Sequence, residues 1–220
     1  MVQAETDRRI VLAENILNGE KGKPRGDGHP VMPVPGLLKS DEDMRGMRDW
    51  LSEEGYMPIK SGIRKNREPG PHILGMISRL ESVVRETGQK ATLIGVSLGG
   101  IYSIVVGVMR PDLVQRVVLI GTATTRHVRD AANRRYRKII DMVIGGNPSY
   151  ESFLHAVPTT SIPAEVELFS FFTRKDKVFN WRCCVDPRAR QNIEVLDSHY
   201  ELHKSPEVFR IINGVLPKVA

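Results

Sequence analysis

Residues 91 to 100 read Ala91-Thr92-Leu93-Ile94-Gly95-Val96-Ser97-Leu98-Gly99-Gly100, an apolar run that closes on the pattern G-x-S-x-G. The run has the composition of a buried strand, and Ile101 to Met109 continues as an apolar helix stopped at Arg110-Pro111. The reading is therefore strand, tight turn, helix. In such a turn the serine occupies a strained strand-to-helix corner, and small residues on either side let neighbouring backbones approach closely enough to form it. Ser97 is the candidate nucleophile, with Gly95, Gly99 and Gly100 as the residues that make room for it.

Working outward, the pattern alternates. Val31 to Val34 reads as a strand stopped at Pro35-Gly36, and Ser40 caps a helix with Asp41, Glu42 and Asp43 in its first turn and Met44, Met47 and Leu51 on one face. A strand over Met57 to Ile63 follows, then a helix after Gly70-Pro71 carrying Ile73, Ile77, Leu80 and Val84. Strands are expected over Arg116 to Ile120, Val166 to Phe172 and near Ile193 to Leu196, and a last helix begins at Ser205-Pro206-Glu207. Parallel neighbours need crossover connections, so this order predicts an α/β fold: a mainly parallel sheet of about six strands with helices on both faces. Residues 123–162 interrupt the rhythm and read as a small helical lid over the carboxyl ends of the strands. Residues 1–27 read as an appendage with a short helix over Arg8 to Leu17 and a polar linker, leaving 28–220 as the main domain.

A chain of 220 residues can bury a self-sufficient core. It shows no basic start followed by an apolar stretch, and no apolar segment long enough to span a membrane. The two cysteines, Cys183 and Cys184, are adjacent, which makes a disulfide between them awkward and favours a reducing compartment; a cytoplasmic location is expected. The formal charge is +6, from 32 basic and 26 acidic residues. Its dense part, Arg126, Arg129, Arg134, Arg135, Arg137 and Lys138, is interleaved with Val128, Ala132, Tyr136, Ile139, Ile140 and Val143 at helical spacing. This reads as the solvated face of an amphipathic helix; no nucleic-acid motif accompanies it, and no nucleic-acid partner is expected.

A serine hydroxyl is a weak nucleophile until a base takes its proton, and that base must be oriented by a third group. Asp176, just past the strand ending at Phe172, is the candidate acid, with Asp186 and Asp197 as nearby competitors. His199, just past the last strand, is the candidate base, and His203 competes with it. His29, His72, His127 and His155 fit less well by position. An oxyanion hole would use the backbone N–H of Leu98 and one from Pro35-Gly36-Leu37-Leu38, where Leu37 is chosen over Leu38. The segment His199-Tyr200-Glu201-Leu202-His203 also holds two histidines four apart, but the Glu is displaced from the place a helical zinc motif requires.

Taken together, Gly28-His29-Pro30 through Pro35-Gly36-Leu37-Leu38-Lys39-Ser40-Asp41, Gly95 to Tyr102, Asp176 with Trp181 and Cys183-Cys184, and Asn192 to Val195 with Ser198-His199 resemble the small bacterial esterase/lipase-like α/β-hydrolases. The resemblance implies the α/β-hydrolase fold and a serine hydrolase acting on carboxylic esters. Ser97, Asp176 and His199 match its triad, and Leu37 and Leu98 its oxyanion donors. It implies a small-molecule or lipid-like ester as substrate and no cofactor or metal. Acyl transfer to another alcohol and a noncatalytic binding role on the same fold are the alternatives. The chain departs from the family in having Val96 before the serine, Lys177 after the acid, and Glu201 two residues after the histidine. A carboxylate at Glu201 is expected to bear on the charge of the base, and Lys177 to offset it.

Overall fold

Seven strands lie side by side in the order β1-β7-β6-β5-β4-β2-β3, every neighbouring pair parallel. They are β1 (Ile10–Leu12), β2 (Pro30–Val34), β3 (Met57–Pro58), β4 (Ala91–Val96), β5 (Val114–Ile120), β6 (Glu167–Phe172) and β7 (Gln191–Glu194). The computed structural model describes residues 10–12, 26–67, 69–144 and 154–217. Its helices include α1 (Arg45–Glu53), α2 (Pro69–Thr87), α3 (Leu98–Met109), α4 (Val128–Ala131), α5 (Arg134–Ile144) and α6 (Pro206–Val215).

Alternation along the central strands sorts side chains to two faces. Leu93, Val117, Leu119 and Leu168 pack with α2 and α3, through Ile73, Met76, Leu80, Ile101 and Ile104. Ile94, Val118, Ile120, Phe169 and Phe171 pack with α1 and α6, through Met47, Leu51, Val208 and Ile212. Both faces are covered, as all-parallel sheets require. The expected α/β-hydrolase architecture is therefore present, and Ser97 stands at the carboxyl end of the inner strand β4.

Three local expectations are corrected. Ile10–Leu12, placed in a helix by the sequence reading, forms the edge strand β1 and pairs with Asn192, Ile193 and Glu194; the rest of the proposed helix and linker, apart from Gly26 and Asp27, lies outside the described residues. The strand over Met57 to Ile63 shrinks to two residues, because Ser61 and Gly62 give their N–H groups to the Asp41 carboxylate rather than to a neighbouring strand. The helix capped by Ser40 starts as a 3-10 turn, Asp41–Met44, in which the Asp43 carboxylate accepts from the Ser40 N–H at 2.9 Å before α1 takes over.

Candidate active site

The elbow is built by close approach. Ser97 has φ +50°, in the left-handed region an L side chain rarely adopts, and its N–H is held by the Ile120 carbonyl oxygen at 2.8 Å. A Cβ on Gly99 would collide with the Val34 and Pro35 carbonyl oxygens, one on Gly100 with the Thr122 side chain, and one on Gly95 with Gly100. The three glycines thus let α3 start directly against β2 and β5. The Thr122 hydroxyl donates to the Ser97 carbonyl oxygen at 3.0 Å and fixes the corner from the other side.

Asp176 and His199 come together from two loops that follow β6 and β7. His199 Nδ1 lies 2.7 Å from Asp176 Oδ2, and the Asp176 side chain is 1% exposed. The other carboxylate oxygen accepts from the Val178 and Phe179 N–H groups at 2.7 and 2.9 Å, so the acid is held before any histidine reaches it. With Nδ1 donating to a carboxylate, the lone pair of His199 is left on Nε2, the nitrogen a general base needs. Gly121, at φ +57°, lets the imidazole lie flat on the chain: a Cβ there would come 3.1 Å from His199 Nδ1.

Ser97 and His199 line one cavity of about 200 Å³. Leu37 and Leu98 line it as well. The Leu38 N–H is already committed to the Asn66 carbonyl oxygen at 2.9 Å, whereas among the described residues no such bond engages the Leu37 N–H, and the Leu98 N–H belongs to the free first turn of α3. Asn66 was not legible in the charged stretch Arg64-Lys65-Asn66-Arg67. It is fully buried, and its side-chain amide donates to the Pro35 carbonyl oxygen at 2.7 Å while its N–H donates to Lys39 at 2.8 Å. It clamps the loop that carries Leu37.

The competing residues separate. Asp186 is fully buried but spent on Arg188, 2.6 Å away, whose guanidinium also holds the Val157 and Thr160 carbonyl oxygens. Asp197 is half-buried and bonds no histidine among the described residues. His203 lines the same cavity as His199 without a carboxylate partner; burial first, then Lys204, Lys39 and His199, push its pKa down to about 4. Residues 200–204 are turns rather than a helix. The Glu201 carboxylate accepts from the Ser198 hydroxyl and N–H, which hold it below its ordinary pKa. Lys177 gives its carbonyl oxygen to the Asn133 side chain at 2.8 Å.

One wall of the cavity is mostly apolar and comes from α4, α5 and the loop after β6. Val128 of α4 and Tyr136, Ile139 and Ile140 of α5 line it, beside Val178 and Phe179. Part of the basic run is engaged locally at the surface: Arg129 pairs with Asp141 at 2.6 Å, and Arg137 bonds the Arg129 carbonyl oxygen at 3.0 Å.

No family model matches the sequence, and no curated protein is similar to it. Solved structures are similar in fold. The mature lipase BlEst2 of Bacillus licheniformis is 17% identical, with a TM-score of 0.61 over 90% of this chain and 92% of that one. RedJ, a thioesterase from the prodiginine biosynthetic pathway in Streptomyces coelicolor, is 15% identical, with a TM-score of 0.54 over 84% and 88%. Polyneuridine aldehyde esterase is 13% identical, with a TM-score of 0.55 over 84% and 98%. The chain has the α/β-hydrolase fold. Among the described residues no helix is long and apolar enough to cross a membrane.

Proposed function

We propose that this protein is a serine hydrolase that cleaves carboxylic esters through an acyl-enzyme on Ser97. The observation that carries the reading is the 2.7 Å contact between Asp176 and His199 in the cavity that Ser97 lines. Ser97 Oγ attacks the ester carbonyl carbon as His199 Nε2 takes its proton, and the oxyanion is met by the Leu37 and Leu98 N–H groups. The imidazolium returns the proton to the leaving alcohol as the C–O bond breaks. Water then attacks the acyl-serine, with His199 again as base. Asp176 keeps Nδ1 protonated and stabilises the imidazolium without itself taking the proton.

Supporting an ester substrate rather than a charged one, the cavity is mostly apolar, and its Lys39 and Asp43 pair with each other at 3.0 Å. In this reading α4 and α5 are the part of the expected lid that supplies one apolar wall; residues 145–153 of that span lie outside the described residues. A fluorophosphonate probe tests the reading directly: it is expected to label the wild-type protein at Ser97 and to leave Ser97→Ala unlabelled. A folded wild-type protein that resists the probe would shift the weight to a noncatalytic binding role.

A further inference from the structure

His203 is a polar group of the cavity that the proposed chemistry leaves idle and, unlike the Lys39–Asp43 and Tyr136–Tyr200 pairs that also line it, bonds no other lining side chain among the described residues. It lines the same space as Ser97 and His199, beside Lys39 and Asp43. Its Nδ1 is buried and has no hydrogen-bond partner among the described residues, while Nε2 is not among the buried, unpartnered atoms. A buried N–H without an acceptor is rarer and costlier than a buried lone pair without a donor, so the proton belongs on Nε2. The depressed pKa of about 4 keeps the ring neutral near pH 7, so it offers a donor without a charge.

The surroundings decide what that donor suits. Lys39 and Asp43 neutralise each other, so this corner presents no net charge to attract a carboxylate, phosphate or ammonium group. The other wall, Val128, Ile139, Ile140, Val178 and Phe179, offers only apolar surface. The cavity therefore combines an apolar wall with neutral hydrogen-bonding groups: His203 in this corner, and Tyr136 and Tyr200, whose hydroxyls bond each other.

We propose that His203, through Nε2–H, is a specificity-determining residue that binds a neutral hydroxyl group on one arm of the substrate, whose other arm is apolar. The inference rests on the ester-cleaving reading of the same site and adds the substrate class to it: an ester of an apolar arm with a hydroxyl-bearing arm. A site built to hydrogen-bond a hydroxyl discriminates strongly against the analogue that lacks it, because its own polar group is then left unpaired.

The test compares ethyl hexanoate with 1-hexanoylglycerol, which carries hydroxyls on the alcohol arm, and with ethyl 3-hydroxyhexanoate, which carries one on the acyl arm. Wild type is expected to prefer one hydroxylated ester over ethyl hexanoate by about tenfold or more in kcat/KM, and which one it prefers assigns the arm. His203→Phe is expected to bring that ratio to about one, through KM on the hydroxylated ester. His203→Gln, which restores a donor, is expected to recover part of the preference. A wild-type ratio near one overturns the proposal, as does an equal loss on all three esters in His203→Phe. If no ester is turned over, binding of the unreactive ether 1-O-hexylglycerol, measured by calorimetry, separates the two ideas. Binding weakened about tenfold by His203→Phe upholds the hydroxyl site and sinks only the hydrolytic reading; binding unchanged by the substitution sinks the hydroxyl site.

Discussion

Asp176 divides its two carboxylate oxygens between His199 and its own loop, one 2.7 Å from the imidazole Nδ1 and the other bound by the Val178 and Phe179 N–H groups. The division fixes the carboxylate plane independently of the histidine, so Asp176 orients the imidazole rather than being oriented by it. Buried polar atoms need such partners, and here the loop supplies them from within three residues.

If the three residues act as a unit, their substitutions should not add. Ser97→Ala and His199→Ala are each expected to lower kcat by on the order of 10⁶-fold, with the double variant little worse than either. Asp176→Asn should cost about 10⁴-fold, through the wrong tautomer. Asp186→Asn should instead lower the thermal transition, since it strips a buried partner from Arg188, and leave turnover per folded molecule near wild type. Steady-state kinetics with a nitrophenyl ester and a thermal melt decide all four. A crippling Asp197→Asn beside a silent Asp176→Asn would reassign the acid.

The elbow makes a separate prediction about folding. A methyl group on Gly100 would run into the Thr122 side chain, which itself holds the Ser97 carbonyl oxygen. Gly100→Ala is expected to destabilise the protein by about 1–3 kcal/mol, as overpacking in a tight core does. Combining it with Thr122→Ala removes the hydroxyl oxygen, the atom nearest the new methyl group, together with the threonine methyl, and should recover part of the loss in urea unfolding. A Gly100→Ala protein as stable as wild type would contradict the packing of α3 against β5.

Acid sensitivity follows from the buried histidines. His29, against Thr92 at 2.9 Å, is pushed down to about 4 by burial, reinforced by Arg116, and His203 is likewise near 4. Between about pH 6.5 and 4 the unfolded chain binds protons at these sites that the folded chain does not. Stability therefore falls as pH drops through that window, with a limiting slope of about 1.4 kcal/mol per pH unit for each histidine. His29→Gln should flatten the slope of unfolding free energy against pH by about one such increment. An unchanged slope would mean that His29 titrates normally in the folded state.

Most of the sheet was legible because its central strands carry their own signals: β-branched runs bounded by Pro-Gly, Arg-Pro and glycine stops. β1 was not, because three apolar residues near the start of the chain become a strand only through pairing with Asn192 to Glu194, a partner no local window contains. β3 failed for the opposite reason, since the Asp41 carboxylate captured the backbone that the apolar pattern assigned to a sheet. In the candidate site, order and position after strands single out Ser97, Asp176 and His199, and the structure puts Asp176 against His199 and lines one cavity with His199 and Ser97. Asn66 could not, because a side-chain amide that clamps a distant loop looks, in sequence, like any polar turn residue.

The apolar wall should set chain-length preference. α5 is not free to swing at its start: Ala131 and Asn133 bond Asn180 and Val178 backbone to backbone, and the Asn133 side chain holds Lys177. Deleting residues 123–162 would therefore also loosen the Asp176 loop and cost activity on every substrate, which makes a point substitution the sharper probe. Ile139 lines the cavity yet is 40% exposed, so a larger side chain there can narrow the space without overpacking the core. At about 200 Å³ the cavity is somewhat larger than the roughly 150 Å³ that holds a benzene ring in an engineered protein core. Each methylene buried against the wall contributes about 0.8 kcal/mol. Ile139→Trp is expected to lower kcat/KM on a nitrophenyl hexanoate or octanoate by about tenfold while changing nitrophenyl acetate by less than about twofold. Ile139→Ala should move the optimum toward longer chains. Equal losses on acetate and octanoate in Ile139→Trp would show that α5 supports the catalytic loop and does not select the acyl group.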